Sequence, residues 1–137
     1  MSFINRDLTV FVKKNSTFPE VKYPLTQSIM EKYDITDKMM QNVAITFSMI
    51  NADTGNFRIA NVEGKLIVVQ ENDIQKLDEC KYTLAYRFKL KDTKKSGRFG
   101  GEFKLTFLGD FCSTITLPSD RLIDIIIGDS ITKVDLI

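Results

Sequence analysis

Apolar and polar residues alternate along three long stretches of the sequence, residues 43–49, 82–90 and 99–107. Successive side chains of a β-strand point to opposite faces of a sheet, so alternation with period two predicts strands with one buried and one solvated face. Shorter stretches that can also form strands are residues 9–13, 57–60, 65–70, 113–117 and 122–127. The pattern therefore predicts a fold built mainly of β-sheet.

Residues that favour tight turns separate these stretches. The turn segments, rich in Asn, Asp, Gly and Pro, are 51–55, 63–64, 109–110, 118–120 and 128–129. Many short strands divided by such turns are typical of a β-sandwich or a β-barrel. The length of 137 residues suits one domain, so we predict a single domain over residues 1–137.

One segment departs from the alternation, and we predict one or two short helices there, near residues 26–41, as an insert at 24–42. The residues at helical spacing are Thr26 as a cap, followed by Ile29, Met30 and Tyr33. Two interpretations of the apolar residues stay open, a docking surface or a plug for an open end of the sandwich, and for the methionines we favour the plug. The residues concerned are Met30, Tyr33, Met39 and Met40.

Composition argues against several classes of function. Nineteen Lys and Arg balance eighteen Asp and Glu, for a net charge of +1, so no overall field attracts nucleic acid or a membrane surface. The chain has no histidine, which removes His-dependent hydrolases and His-ligated metal sites. We expect no signal peptide, since MSFINRDLTVFVKKN places charges within and beyond a short apolar run.

The two cysteines, Cys80 and Cys112, offer no metal site. They stand alone without CxxC spacing and without histidine partners, so zinc lacks ligands, and we predict no cofactor. We interpret both as ordinary thiols, and a disulfide between them stays open if their strands face each other.

The stretch KDTKKSGRFGGEFKLTF, residues 91–107, combines lysines with glycines. A Walker loop needs GxxxxGK[ST] before a helix and a dinucleotide site needs GxGxxG, and neither pattern is present. We predict a connection between two antiparallel strands, in which Asp92 and Thr93 form a turn. Four cations then lie at the tip of the loop, either as solvated charge or as a contact for an acidic partner: Lys91, Lys94, Lys95 and Arg98.

Several segments together resemble the immunoglobulin-like domain at the N-terminus of bacteriophage baseplate upper proteins and related tail proteins. They are TVFVKKNSTFPEV, DIT, VAITFSMINADTGNFRI, YTLAYRFKLKDTKKSGRFGGEFKLTF and STITLPSDRLIDIII, which cover about residues 8–127. The matching positions are Lys14, Asn15, Pro19, Phe47, Met49, Thr54, Gly55, Tyr86, Asp92, Thr93, Gly97, Phe99, Gly101, Glu102, Phe103, Pro118 and Asp120. The segment 24–42 is longer than the usual link in that family.

The resemblance implies an immunoglobulin-like antiparallel β-sandwich of about seven to nine strands. It also implies a virion structural protein of the tail or baseplate, without catalysis, made in the bacterial host cytoplasm. Its partners would be other virion proteins in a multi-copy or ring assembly. Strand addition could contribute to such an assembly.

The C-terminal residues 129–137 end in the alternating segment ITKVDLI. Ile131, Val134 and Leu136 could pair with a neighbouring chain, or the segment could form the last strand of its own sandwich.

Two other functions are compatible with the same fold. A carbohydrate or host-surface binding module could use Tyr33, Lys94, Lys95 and Arg98, although the chain has no tryptophan to serve as a sugar platform. A carboxylate-only hydrolase would need two acids close together in one cleft. The pairs to consider are Asp53 with Glu63 and Asp92 with Glu102, but nothing in the sequence singles out either pair.

Overall fold

The computed structural model describes residues 9–69, 80–109 and 113–129. These residues contain nine strands, two short α-helices and a 3-10 helix at Leu90–Thr93. The strands are β1 (Val10–Lys13), β2 (Val21–Pro24), β3 (Val43–Asn51), β4 (Phe57–Glu63), β5 (Lys65–Val68), β6 (Tyr82–Tyr86), β7 (Gly97–Phe107), β8 (Ser113–Leu117) and β9 (Ile123–Gly128). The helices are α1 (Gln27–Lys32) and α2 (Asp37–Met40). The prediction of an all-β sandwich with short helices near residues 26–41 is confirmed.

The strands form two sheets. The larger has the order β1-β9-β7-β3-β4, with β8 also paired to β7, and the smaller has the order β2-β6-β5. Strand β7 is long enough to pair with β9 through Gly97–Gly101 and with β8 through Phe103–Phe107. All pairings are antiparallel except β1 with β9, which is parallel. The sandwich is thus antiparallel except at this edge, where no hairpin links the two strands and fixes their relative direction.

The alternating residues of both sheets meet in one hydrophobic core. Phe47 on β3 stacks on Tyr86 of β6, with ring centroids 4.7 Å apart, and also contacts Phe103 of β7 at 5.0 Å. Gly101 on β7 leaves the space that these rings use, because a Cβ there would lie 2.8 Å from Cζ of Phe47 and 2.9 Å from Cδ1 of Ile125. Glycine at this position therefore serves the close packing of core side chains.

The helical insert is held at both helix starts and contributes to the core. Thr26 accepts a hydrogen bond from the backbone N–H of Ile29, and Thr36 accepts one from Met39. Met39 and Met40 are buried in the same core as the strands. The docking interpretation is therefore wrong for these two residues, because folding has already removed their side chains from the surface. No helix among the described residues is long and apolar enough to cross a membrane.

Two predictions fail in the smaller sheet, one at the end of β6 and one at β2. Strand β6 ends at Tyr86, although the alternation continues to residue 90. Its continuation turns into the 3-10 helix because Asp92 accepts the backbone N–H of Lys89, which satisfies a local donor in place of a strand partner. Strand β2 is not predicted, since its sequence VKYP ends in a proline, which weakens a strand assignment.

Candidate interaction surfaces

The described buried polar residues are used by the fold itself. They are Ser48, Asp92 and Thr93. The hydroxyl of Ser48 accepts the backbone N–H of Asn61, and the hydroxyl of Thr93 donates to the carbonyl of Ser16 at 2.9 Å. The carboxylate of Asp92 accepts the hydroxyl of Tyr86 at 2.7 Å. Their hydrogen-bonding capacity thus serves folding, as is usual for buried polar groups.

The acidic pairs considered from the sequence do not share a cleft. Asp92 is buried beneath its own loop, whereas Glu102 lies on the outer face of the larger sheet, opposite Ser48. Asp53 lies in the turn 51–55 at one end of the β3–β4 hairpin, whereas Glu63 ends β4 at the other end. In the described ranges, no group of three or more Cys, Asp or Glu is arranged to hold a metal ion.

Two neighbouring loops form a first candidate surface, which we call the basic loop pair and define as residues 14–19 and 87–96. Three contacts join them: Asn15 N–H donates to the carbonyl of Thr93 at 2.9 Å, Thr93 donates to Ser16, and Arg87 lies 4.1 Å from the ring centroid of Phe18. Asn15 adopts a φ of 64°, a conformation that asparagine tolerates well. The two loops are therefore fixed relative to each other by the fold.

The exposed charges of the basic loop pair have one sign. Its exposed cations are Arg87, Lys89, Lys91, Lys94 and Lys95. Its only acid, Asp92, is buried and hydrogen-bonded. Glu20, just outside the pair, is bound by Lys65 at 3.0 Å. Three of the four predicted cations, Lys91, Lys94 and Lys95, thus lie in the basic loop pair.

The fourth residue, Arg98, lies elsewhere. It is part of β7, and its Nε and Nη2 donate to the two carboxylate oxygens of Asp124 at 2.9 and 2.8 Å. The ion pair also lowers the pKa of Asp124, chiefly through the hydrogen bond from Arg98. Arg98 therefore does not lie at the tip of the loop. Strand β7 begins earlier than predicted, so Arg98 is part of the sheet.

Apolar side chains protrude from the basic loop pair. Phe18 is 57% exposed and Leu90 is 58% exposed, and each stands among the cations. Four residues of this surface were not predicted as site residues: Phe18, Arg87, Lys89 and Leu90. The hydrophobic alternation predicts a strand over residues 87–90, and no local pattern could indicate the contact between Phe18 and Arg87.

The outer face of the larger sheet forms a second candidate surface. Phe11, Ile126 and Arg98 lie directly opposite one another on β1, β9 and β7. The next outward row runs from Phe57 through Ile50 and Gly100 to Asp124. Phe57 is 67% exposed and Phe11 is 64% exposed. We call this surface, with Leu122, the apolar outer face.

Leu122 completes the apolar outer face by lying over Gly100. A Cβ at residue 100 would come within 2.6 Å of Cδ1 of Leu122, so only glycine leaves room for it. The other half of the same sheet face is polar and carries Thr46, Lys104 and Thr116 in one row. The apolar outer face is therefore a bounded patch, and the position of Phe11 between Val10 and Val12 was a sequence signal for it.

The remaining predicted contact residues have separate positions. Met30 and Tyr33 are partly buried and pack against the core, and the hydroxyl of Tyr33 donates to that of Ser119. Ile131, Val134 and Leu136 lie outside the described residues, as does Cys112. The hypotheses of a pairing tail and of a disulfide with Cys80 stay predictions.

Alkaline pH is expected to destabilise the protein through its buried tyrosines. Burial, followed by hydrogen bonds to Asp37 and Asp92 respectively, raises the pKa of Tyr82 to about 12 and the pKa of Tyr86 further above its ordinary value. Tyrosine in the unfolded chain loses its proton near pH 10, so the contribution of these residues to stability should be fully present below that pH. Above it, the free energy of unfolding should fall by up to about 1.4 kcal/mol per pH unit for each residue. Urea unfolding between about pH 9 and 12 measures this slope. An equal slope in Tyr86→Phe would contradict the contribution of Tyr86.

Comparisons of the chain with models of protein families, with curated proteins and with solved structures found no match.

Proposed function

We propose that this chain is a non-catalytic structural protein of a bacteriophage virion, in the tail or baseplate, that acts as an adaptor between other virion proteins in a multi-copy assembly. The observation that carries the proposal is the apolar outer face, which stands on a fold that uses its described buried polar groups internally. Large aromatic side chains exposed together on one sheet face, with polar residues beside them, are typical of a protein-binding surface.

The residues behind the family resemblance support the proposal through their structural roles. Gly55, at a φ of 77°, forms the turn between β3 and β4. Thr93 ties the loop after β6 to the loop after β1, and Asp92 fixes the first of these loops to Tyr86. Gly101 makes room for Phe47. The residues that carry the family resemblance therefore serve folding. Binding of a partner is then left to the outer surfaces of the fold.

The apolar outer face has the composition expected of an interface centre. Phe57 and Phe11 present large aromatic side chains, and the Arg98–Asp124 pair lies between them with its charges already neutralised. Aromatic residues and arginine are enriched among residues that dominate binding energy. A partner that covers this patch would bury apolar surface. Each Å² would contribute roughly 25 cal/mol to the free energy of binding before the costs of association are subtracted.

Replacement of Phe57 by serine is expected to reduce incorporation of this chain into particles by at least about tenfold, because the partner loses an aromatic contact. The free energy of unfolding should change by no more than about 0.5 kcal/mol, since the side chain is exposed. Quantitative mass spectrometry of purified particles measures incorporation. Val68→Ser is the matched control, because Val68 is exposed on the smaller sheet.

Two results would contradict the proposal. Purified particles that consistently lack this chain would exclude a virion role altogether. Undiminished incorporation of Phe57→Ser together with reduced incorporation of Val68→Ser would move the interface from the larger sheet to the smaller one.

A further inference from the structure

We propose that the basic loop pair is a second docking surface, which binds an acidic segment of a different protein in the same particle. The inference rests on the proposed function and adds the chemistry of one partner. The basic loop pair and the apolar outer face would then give the adaptor two distinct contacts.

The first step is that the surface is preorganised. Thr93 links both loops through its backbone carbonyl, which accepts from Asn15, and through its hydroxyl, which donates to Ser16. Beneath it, Asp92 is held by Tyr86 and by the N–H of Lys89. A partner therefore binds loops that are already ordered, which reduces the entropy lost on association.

The second step is that the charge is concentrated and lacks internal compensation. Lys89, Lys91, Lys94 and Lys95 are exposed, and none of them forms an ion pair with another residue of the described ranges. In a chain of net charge +1, five exposed cations on one pair of loops make a local positive field and not a global one. Such a field is complementary to a short acidic segment.

The third step concerns the apolar groups among these charges. The guanidinium of Arg87 lies 4.1 Å from the ring centroid of Phe18, and a guanidinium held over an aromatic ring can still donate its in-plane N–H groups to a carboxylate. Leu90 adds a second apolar contact. A ligand that satisfies both features carries carboxylates together with apolar side chains. An acidic protein segment has that composition, whereas the phosphate backbone of duplex DNA offers charge alone.

The helical insert of a second copy of this chain is a poor match for the basic loop pair. Exposed acids Glu31, Asp34 and Asp37 lie in the helical insert, but Lys32, Lys38 and Lys81 are interleaved with them, and Lys81 is already paired with Asp37 at 3.4 Å. That surface therefore carries no excess of negative charge. The helical insert of a second copy is therefore not the complement of the basic loop pair.

Binding of a synthetic peptide tests the surface directly. The probe is a peptide of about twelve residues in which glutamates flank a central Phe-Leu, and its affinity for the full chain is measured by fluorescence anisotropy. Raising salt from about 50 to about 300 mM should weaken binding, because exposed charges are screened. The double variant Lys94→Glu/Lys95→Glu should bind at least about tenfold more weakly, and Phe18→Ser should also lose affinity.

The matched control is Lys22→Glu/Lys104→Glu, which reverses two exposed lysines on the two sheets and should bind within about twofold of the wild type. Absence of peptide binding, or equal affinity in both double variants, would overturn the inference. Tighter binding to phosphatidylglycerol vesicles or to duplex DNA than to the peptide, lost in Lys94→Glu/Lys95→Glu, would overturn it in favour of those ligands.

Cross-linking in purified particles separates the inference from the proposed function. A carbodiimide joins lysine to carboxylate without a spacer, so Lys91, Lys94 or Lys95 should be linked to Asp or Glu of another virion protein. Particles that contain the chain but yield links only to a second copy of it would overturn the inference and leave the proposed function intact. Particles without the chain would contradict the proposed function, while peptide binding would still report on the surface.

Discussion

Replacement of Phe47 by alanine is expected to lower the free energy of unfolding by about 3–5 kcal/mol, the range typical of deleting a fully buried phenylalanine. Phe47 has 0% of its side chain exposed. Its ring stacks on Tyr86 of the smaller sheet and contacts Phe103 of the larger one. The substitution removes apolar burial and leaves a cavity where the two sheets meet, so both terms act in the same direction.

Urea unfolding at a fixed temperature measures this loss, and Phe47→Leu should show a smaller one because much of the volume is kept. Phe57→Ala provides the matched control on the same sheet, since its side chain is exposed and its removal leaves no cavity. A loss below about 1 kcal/mol for Phe47→Ala would show that the ring does not bridge the sheets.

The strands of the larger sheet could be predicted from the sequence because one of their faces packs in the core and the other lies on the outer surface. Strand β7 alternates between the core and the outer face along most of its length, so its hydrophobic period reports its structure directly. The Thr-capped starts of α1 and α2 were predictable for a similar reason, since each cap bonds within its own turn.

Prediction failed where a distant or competing contact decides the structure. Residues 87–90 keep the alternation of a strand, but the carboxylate of Asp92 takes the N–H of Lys89 and bends the chain into a 3-10 helix. Phe88 is nonetheless buried, which is why the apolar pattern continues past the end of β6. The parallel pairing of β1 with β9 joins opposite ends of the described chain and has no local signal.

The candidate surfaces were predictable only in part. Lysines in a loop between strands are exposed in almost any arrangement, so Lys91, Lys94 and Lys95 were found. The assignment of Arg98 depended on where β7 begins, and its partner Asp124 lies on another strand. The pairing of Phe18 with Arg87 depends on how two loops pack, which no spacing in the sequence encodes.

Replacement of Asp92 by alanine is expected to destabilise the protein by about 3 kcal/mol, because two hydrogen-bond donors lose the acceptor that they share. The hydroxyl of Tyr86 and the N–H of Lys89 both donate to Oδ2 of Asp92, at 2.7 and 2.8 Å. Asp92 and Tyr86 are both buried, so water cannot readily replace the lost carboxylate. Urea unfolding measures the stability, and affinity for the acidic peptide measures whether the basic loop pair stays ordered.

A double-mutant cycle with Tyr86→Phe separates the hydrogen bond from general disruption. Tyr86→Phe removes the donor, so the combined variant should lose less stability than the sum of the single losses, with a coupling energy of about 1–2 kcal/mol. Strictly additive losses would mean that the two side chains act independently. The cycle also bears on the basic loop pair, because Asp92 carries the turn on which Lys89 and Leu90 are presented. If the carboxylate orders that turn, Asp92→Ala should weaken peptide binding while every exposed lysine is still present.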